Sequence, residues 1–134
     1  MDTKETVLVV DDDREIVGAI ALALEKEGYR VLRAYDGMEA LDHALDPELR
    51  LILMDVMMPV MNGIDAAKTI RSLNRPDAKT LPIIAMTANA FYEDAQKCLA
   101  AGMNAHLAKP LQIKKVKQTI AEWVKNNRTA KKDA

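Results

Sequence analysis

The chain has 134 residues and a net charge of −1, with 49% hydrophobic and 29% charged residues. That length amounts to one domain, and that composition excludes a disordered chain. The longest apolar runs, Val7–Val10, Leu51–Met54 and Ile83–Met86, fall far short of the ~18 residues a membrane-spanning helix needs.

A single cysteine excludes a disulfide framework and a thiolate metal cluster. With no charged-then-apolar leader at the start, the expectation is a cytoplasmic protein. The charge is unevenly spread: eight basic residues against two acids give +6 over residues 109–134, leaving −7 for residues 1–108. No aromatic interleaving or recognition-helix pattern accompanies the basic segment, so direct nucleic-acid contact is not expected. It reads as a solvated helix face that ends in a polar tail.

Along the chain, short apolar runs alternate with helical periodicity. Thr6–Val10 reads as a strand, and Glu15–Glu27 as a helix carrying Ile16, Ile20, Leu22 and Leu24 and stopping at Gly28. Arg30–Ala34 is the second strand; Met38–Leu45 follows Asp36-Gly37 and ends before Pro47. Leu51–Met54 is the third, and Ile64–Leu73 follows the turn-and-cap pair Asn62-Gly63. A loop over Asn74–Leu81, marked by Pro76 and Pro82, leads to a strand at Pro82–Met86 and a helix at Ala90–Ala101 that stops at Gly102. Ala105–Ala108 and Ile113–Lys125 complete the series. The strands lack clean in/out alternation, as parallel strands covered on both faces do. Five β-then-α units predict an α/β fold with a doubly wound, five-stranded parallel sheet of flavodoxin type, strand order 2-1-3-4-5.

In such a fold ligands sit beyond the carboxyl ends of the strands. Strand one ends in Asp11, Asp12 and Asp13, strand three in Asp55, strand four in Thr87 and strand five in Lys109. Asp13 precedes a helix and reads as its cap. The remaining carboxylates repel one another unless a cation lies among them, and an all-oxygen set with few protein ligands favours Mg²⁺. A metal beside a carboxylate, with a lysine and a hydroxyl, makes a phosphoryl site in which one carboxylate is the nucleophile.

VLVVDDD (Val7–Asp13), LILMDVMMPVMNG (Leu51–Gly63), PIIAMTANA (Pro82–Ala90) and AGMNAHLAKPL (Ala101–Leu111) together carry a resemblance. The chain resembles the receiver domain of two-component response regulators, and it looks most like the receivers joined to hybrid sensor histidine kinases. The resemblance implies a receiver over residues 1–126 and a polar tail over 127–134, with no output domain. It implies that Asp55 accepts a phosphoryl group and that Asp11 and Asp12 hold Mg²⁺ with Asp55 and the backbone carbonyl of Met57. Asp12 is the direct ligand and Asp11 acts partly through water. Thr87 matches the switch hydroxyl and Lys109 the lysine that pairs with a phosphoryl oxygen, with Lys109–Pro110 expected cis. Met57 and Asn89 should tune dephosphorylation. His106 stands where the family often has an aromatic switch residue, so it is either a switch or a partly exposed strand histidine.

The implied partners are a histidine kinase or histidine phosphotransfer protein and a downstream protein. The chain is expected as a monomer or weak phosphorylation-dependent dimer that switches its fourth helix, fifth strand and fifth helix, with only self-catalysed phosphorylation and dephosphorylation. His43 is not read as a phosphodonor, since that histidine belongs on the partner. Met54, Met57, Met58, Met61 and Met86 read as core and pocket rim, and Cys98 as a sheet-facing residue with Phe91, Ala95 and Leu99.

Two other classes compete. A haloacid-dehalogenase-like phosphohydrolase would use Asp11 as nucleophile at D-x-D spacing with Asp13, but it leaves Asp55 unexplained and lacks a later acidic pair. A flavodoxin-like cofactor binder needs backbone donors after strand one, where this chain has three carboxylates.

Overall fold

A computed structural model describes residues 4–58, 61–88 and 92–133, with the side chains of 92–95 and 126–133 outside that description. The elements are β1 (Thr6–Val10), α1 (Arg14–Lys26), β2 (Arg30–Ala34), α2 (Gly37–His43), β3 (Leu49–Asp55), α3 (Gly63–Arg71), β4 (Ile83–Thr87), α4 (Tyr92–Ala100), β5 (Ala105–Ala108) and α5 (Ile113–Asp133). The strands form one parallel sheet in the order β2-β1-β3-β4-β5, as the alternation predicts.

Each central strand sends alternate side chains to opposite faces, and both faces are covered. Val7 and Val9, Leu51 and Leu53, and Ile84 and Met86 pack with Val17, Ile20 and Leu24 of α1 and Val116, Ile120 and Val124 of α5. Leu8 and Val10, Ile52 and Met54, and Ile83 and Ala85 pack on the other side with Ala40, Ala66, Ala67 and Ile70 from α2 and α3. This two-sided burial is why β1, β3 and β4 read as continuous apolar runs. The outer strands depart from that expectation. Arg30 and Arg33 of β2 and His106 and Ala108 of β5 are exposed, because an edge strand has a neighbour on one side only.

Helix starts follow local chemistry. Asp13 accepts hydrogen bonds from the Glu15 and Ile16 amides, Asp36 from Glu39, and Asn62 from Asp65, satisfying donors with no intrahelical partner. Gly28 and Gly102 take φ of +96° and +94° where α1 and α4 end. No glycine or proline follows Pro110, and α5 continues to Asp133 rather than ending at Lys125. Cys98 is buried as expected, whereas Leu99, expected to face the sheet beside it, is 55% exposed. Adjacent helical positions lie about 100° apart, and the rotation of α4 that buries Cys98 leaves Leu99 beyond the edge of its buried face. Phe91 and the side chain of Ala95 lie outside the described residues.

Two arginines organise the pole opposite the strands' carboxyl ends. Arg75 donates to the carbonyls of Ala44, Asp46 and Leu49 and pairs with buried Asp77. Arg71 donates to the carbonyls of Gly102, Ala78 and Leu81 and to Asn104 Oδ1, which also accepts from the Ile83 amide. Thus the 74–81 connection forms neither helix nor strand, yet it is fastened by partly buried guanidinium groups.

Candidate functional site

The register of the sheet brings the strand ends level. Val10 pairs with both Ala34 and Met54, and Thr87 pairs with Ala108, so Asp11, Asp55, Thr87 and Lys109 emerge on one edge. Asp11 follows β1 directly and is wholly buried; its Oδ1 accepts from the Asp13 amide at 3.0 Å. Asp12 is exposed at the mouth. Asp55 closes β3 with 4% of its surface accessible, and its Oδ1 accepts from the Met57 amide at 3.3 Å. One carboxylate oxygen each from Asp11, Asp12 and Asp55 lie within 4.8 Å of one another.

Lys109 answers this negative charge. Its Nζ donates to Asp11 Oδ2 at 2.9 Å and stands 3.5 Å from Asp55 Oδ2. Burial alone would lower the pKa of Lys109, but its contacts with Asp11 and Asp55 outweigh burial and raise it, so the side chain is a firm cation. Asp55 is raised from 3.8 to about 6, first by burial and then by the charge of Asp11, against the opposing pull of Lys109 and the Met57 N–H. A cation between the two acids would lower it again.

Thr87 ends β4, and its carbonyl accepts from the Lys109 amide at 2.7 Å. Its own Oγ1 is buried with no hydrogen-bond partner. Leaving a hydroxyl so costs about 1–3 kcal/mol, and a ligand at this edge would offset that cost. The Lys109–Pro110 peptide is cis, as expected.

Gly63 was legible only as a turn residue, yet it seats the site. A Cβ there would lie 2.2 Å from the Asp55 carbonyl oxygen, so only glycine lets α3 begin against the backbone of the central carboxylate. The Gly63 amide also donates to the Val56 carbonyl at 2.9 Å, closing the turn. A glycine immediately after a helix cap was the available signal.

The expected residues therefore divide. Asp11, Asp12, Asp55 and Lys109 form one cluster, with Thr87 on the adjoining strand end. Met57 projects into solvent, 72% exposed, while its amide binds Asp55. His106 is exposed on β5, opposite Ala85 in the ladder. Asn89, and Pro59 in the loop after Asp55, lie outside the described residues.

The donor set fits a hard divalent cation. Three carboxylate oxygens converge, none is nitrogen or sulfur, and one contributing residue is open to water, as suits an ion that keeps several waters. No described helix is long and apolar enough to cross a membrane.

Residues 7–121 match the family model described as the response regulator receiver domain. The chain is 38% identical over 125 residues to the sensor histidine kinase RcsC of Escherichia coli, covering 91% of this chain and 13% of that protein. It spans only 7–17% of the sensor kinases and hybrid signalling proteins it matches in this way. The receiver domain of sensor histidine kinase PA1611 from Pseudomonas aeruginosa, solved with magnesium in its active-site cleft, superimposes with a TM-score of 0.81. That pair is 35% identical, over 91% of this chain and 98% of the other. The receiver domain of Ssk1 from Saccharomyces cerevisiae, solved with the histidine phosphotransfer protein Ypd1, gives 0.82 at 30% identity, covering 92% of this chain and 90% of that one.

Proposed function

The chain belongs to the response regulator receiver domain family of two-component signalling, and from that premise we propose that Asp55 is its phospho-acceptor and the residues around it the transfer machinery. What carries this reading is one arrangement: a buried carboxylate and a lysine beside two further carboxylates, with a partnerless hydroxyl on the next strand end.

An oxygen of Asp55 attacks the phosphorus of a phosphohistidine. The new O–P bond forms as the P–N bond breaks, and the electron pair stays on the imidazole nitrogen. Asp11, Asp12, Asp55 and the backbone carbonyl of Met57 would hold Mg²⁺, which would supply positive charge to the phosphoryl oxygens. Lys109 exchanges its hydrogen bond with Asp11 for one to a phosphoryl oxygen. Thr87 Oγ1 donates to another, gaining the partner it lacks at rest. The phosphoryl group adds about 1.5–2 negative charges. The movement of Thr87 and Lys109 toward it biases α4, β5 and α5 toward an active arrangement already present as a minor state. Water attacks the acyl phosphate to reset the switch, at a rate tuned by Met57 and Asn89; both formation and loss of the phosphoryl group are self-catalysed.

The domain spans residues 1–126, with the polar residues 127–134 following. Its donor is a histidine kinase or histidine phosphotransfer protein and its reader a downstream protein, with the chain a monomer or weak phosphorylation-dependent dimer. A single cysteine in the sequence supports a cytoplasmic setting.

Intact mass after incubation with Mg²⁺ and acetyl phosphate tests the assignment. Wild type should gain about 80 Da, one phosphoryl group. Asp55→Asn should gain nothing, and a chelator should abolish the gain. Persistence of the added mass in Asp55→Asn would sink this reading.

A further inference from the structure

We propose that Met57 is an oxidation-sensitive governor of the phosphoryl lifetime: conversion of its thioether to the sulfoxide shortens the life of the acyl phosphate on Asp55. This rests on Asp55 being the phospho-acceptor.

The methionines of this chain differ sharply in access. Met54, Met58, Met86 and Met103 are buried, with no more than 8% of their surface open. Met57 is 72% exposed, more than Leu22, Met38, Leu45, Leu99 or Ile113, the other large apolar side chains open to water among the described residues. It is also tied to the site, because its amide donates to Asp55 Oδ1 at 3.3 Å. An exposed thioether is therefore rooted two residues beyond a buried carboxylate whose other oxygen faces Lys109.

Oxidation follows access, so a hydroperoxide reaches Met57 and Met38 before the sealed sulfurs. In the balanced step the sulfur lone pair attacks one oxygen of hydrogen peroxide and the O–O bond breaks. The sulfur gains an oxygen, and the peroxide leaves as water. The product changes what this position can do. A thioether is a weak acceptor and leaves nearby water unoriented, whereas a sulfoxide oxygen is a strong acceptor that binds and aligns water. Beside an acyl phosphate, an aligned water is the nucleophile of hydrolysis. The remainder of the site is untouched, since Asp11, Asp12, Lys109 and Thr87 carry no oxidisable atom.

The test loads the protein with acetyl phosphate and Mg²⁺, removes the donor and follows loss of the added ~80 Da by intact mass. Protein treated with hydrogen peroxide, with oxidation at Met57 mapped by peptide mass, is compared with untreated protein. The expected result is a phosphoryl half-life shortened about threefold or more, restored by methionine sulfoxide reductase. Met57→Leu should have a half-life that peroxide leaves unchanged, and Met38→Leu should respond as wild type does. An unchanged half-life with Met57 fully oxidised, or a change that persists in Met57→Leu, overturns the proposal. If untreated wild type takes no phosphoryl group at all, the acceptor assignment fails and this inference with it; normal loading with unaltered decay defeats the inference alone.

Discussion

Lys109 Nζ lies 2.9 Å from Asp11 Oδ2, closer than the 3.5 Å that separates it from Asp55 Oδ2. The ammonium thus rests nearer Asp11 and compensates a carboxylate that is wholly buried. Replacing it leaves that charge uncovered, with opposite effects on metal and phosphoryl binding. Lys109→Ala should bind Mg²⁺ several-fold more tightly by calorimetry, because a competing cation is gone. It should also take up phosphoryl groups from acetyl phosphate at least tenfold more slowly by intact mass, because the phosphoryl oxygens lose their partner.

Asp55 predicts how stability depends on pH without metal. Its pKa rises from 3.8 to about 6 on folding, so the folded state favours the protonated acid. The associated stability is fully present below the unfolded value and is lost as pH rises through about 6. In chelator, Asp55→Asn should therefore be more stable than wild type by about 2–3 kcal/mol at pH 7.5, from the ~1.4 kcal/mol carried by each pKa unit. At pH 4 the advantage should nearly vanish. Urea denaturation at both pH values checks this, and added Mg²⁺ should shrink the gap at pH 7.5 by stabilising wild type.

Thr87 holds a buried hydroxyl with no partner. Thr87→Val keeps the shape and removes the unsatisfied group, so the unphosphorylated protein should gain about 1–2 kcal/mol in urea denaturation. The same variant should still load Asp55 yet lose the phosphorylation-induced change in amide exchange across α4, β5 and α5. Equal stability of the two proteins would mean that the hydroxyl finds a partner in solution.

Two glycines in helices should respond in opposite directions. A Cβ at Gly63 would stand 2.2 Å from the Asp55 carbonyl oxygen, and backbone cannot yield as a flexible side chain does. Gly63→Ala should cost about 3 kcal/mol or more and depress phosphoryl uptake by displacing Asp55. Gly18, inside α1, has nothing within 4 Å of the same added atom. Gly18→Ala should stabilise by roughly 0.5–1 kcal/mol and leave uptake unchanged. Urea denaturation and intact mass together separate the two.

Much of the site was legible because strand-end chemistry is local. An acid directly after an apolar run must emerge at the carboxyl edge, and parallel strands place all such edges on one side. Asp11, Asp12, Asp55, Thr87 and Lys109 follow from that rule alone. Leu99 shows where it stops: one position of helical rotation separates a buried Cys98 from an exposed neighbour, and composition near a helix end does not fix the rotation. Arg71 and Arg75 were silent for a different reason. A charged residue near a helix end ordinarily points to water, and only the carbonyls assembled from distant segments make a buried guanidinium tolerable.

The sequence by itself determined the sheet order, the helix caps at Asp13 and Asn62, and the set of side chains that meet at the cleft. These rest on apolar periodicity, capping oxygens and strand polarity, all written within a few residues. Tertiary structure alone decided that Lys109 leans on Asp11, that Thr87 Oγ1 lacks a partner, that Gly63 must be bare and that Met57 stands in water. Each depends on how segments meet in space, which is set by packing.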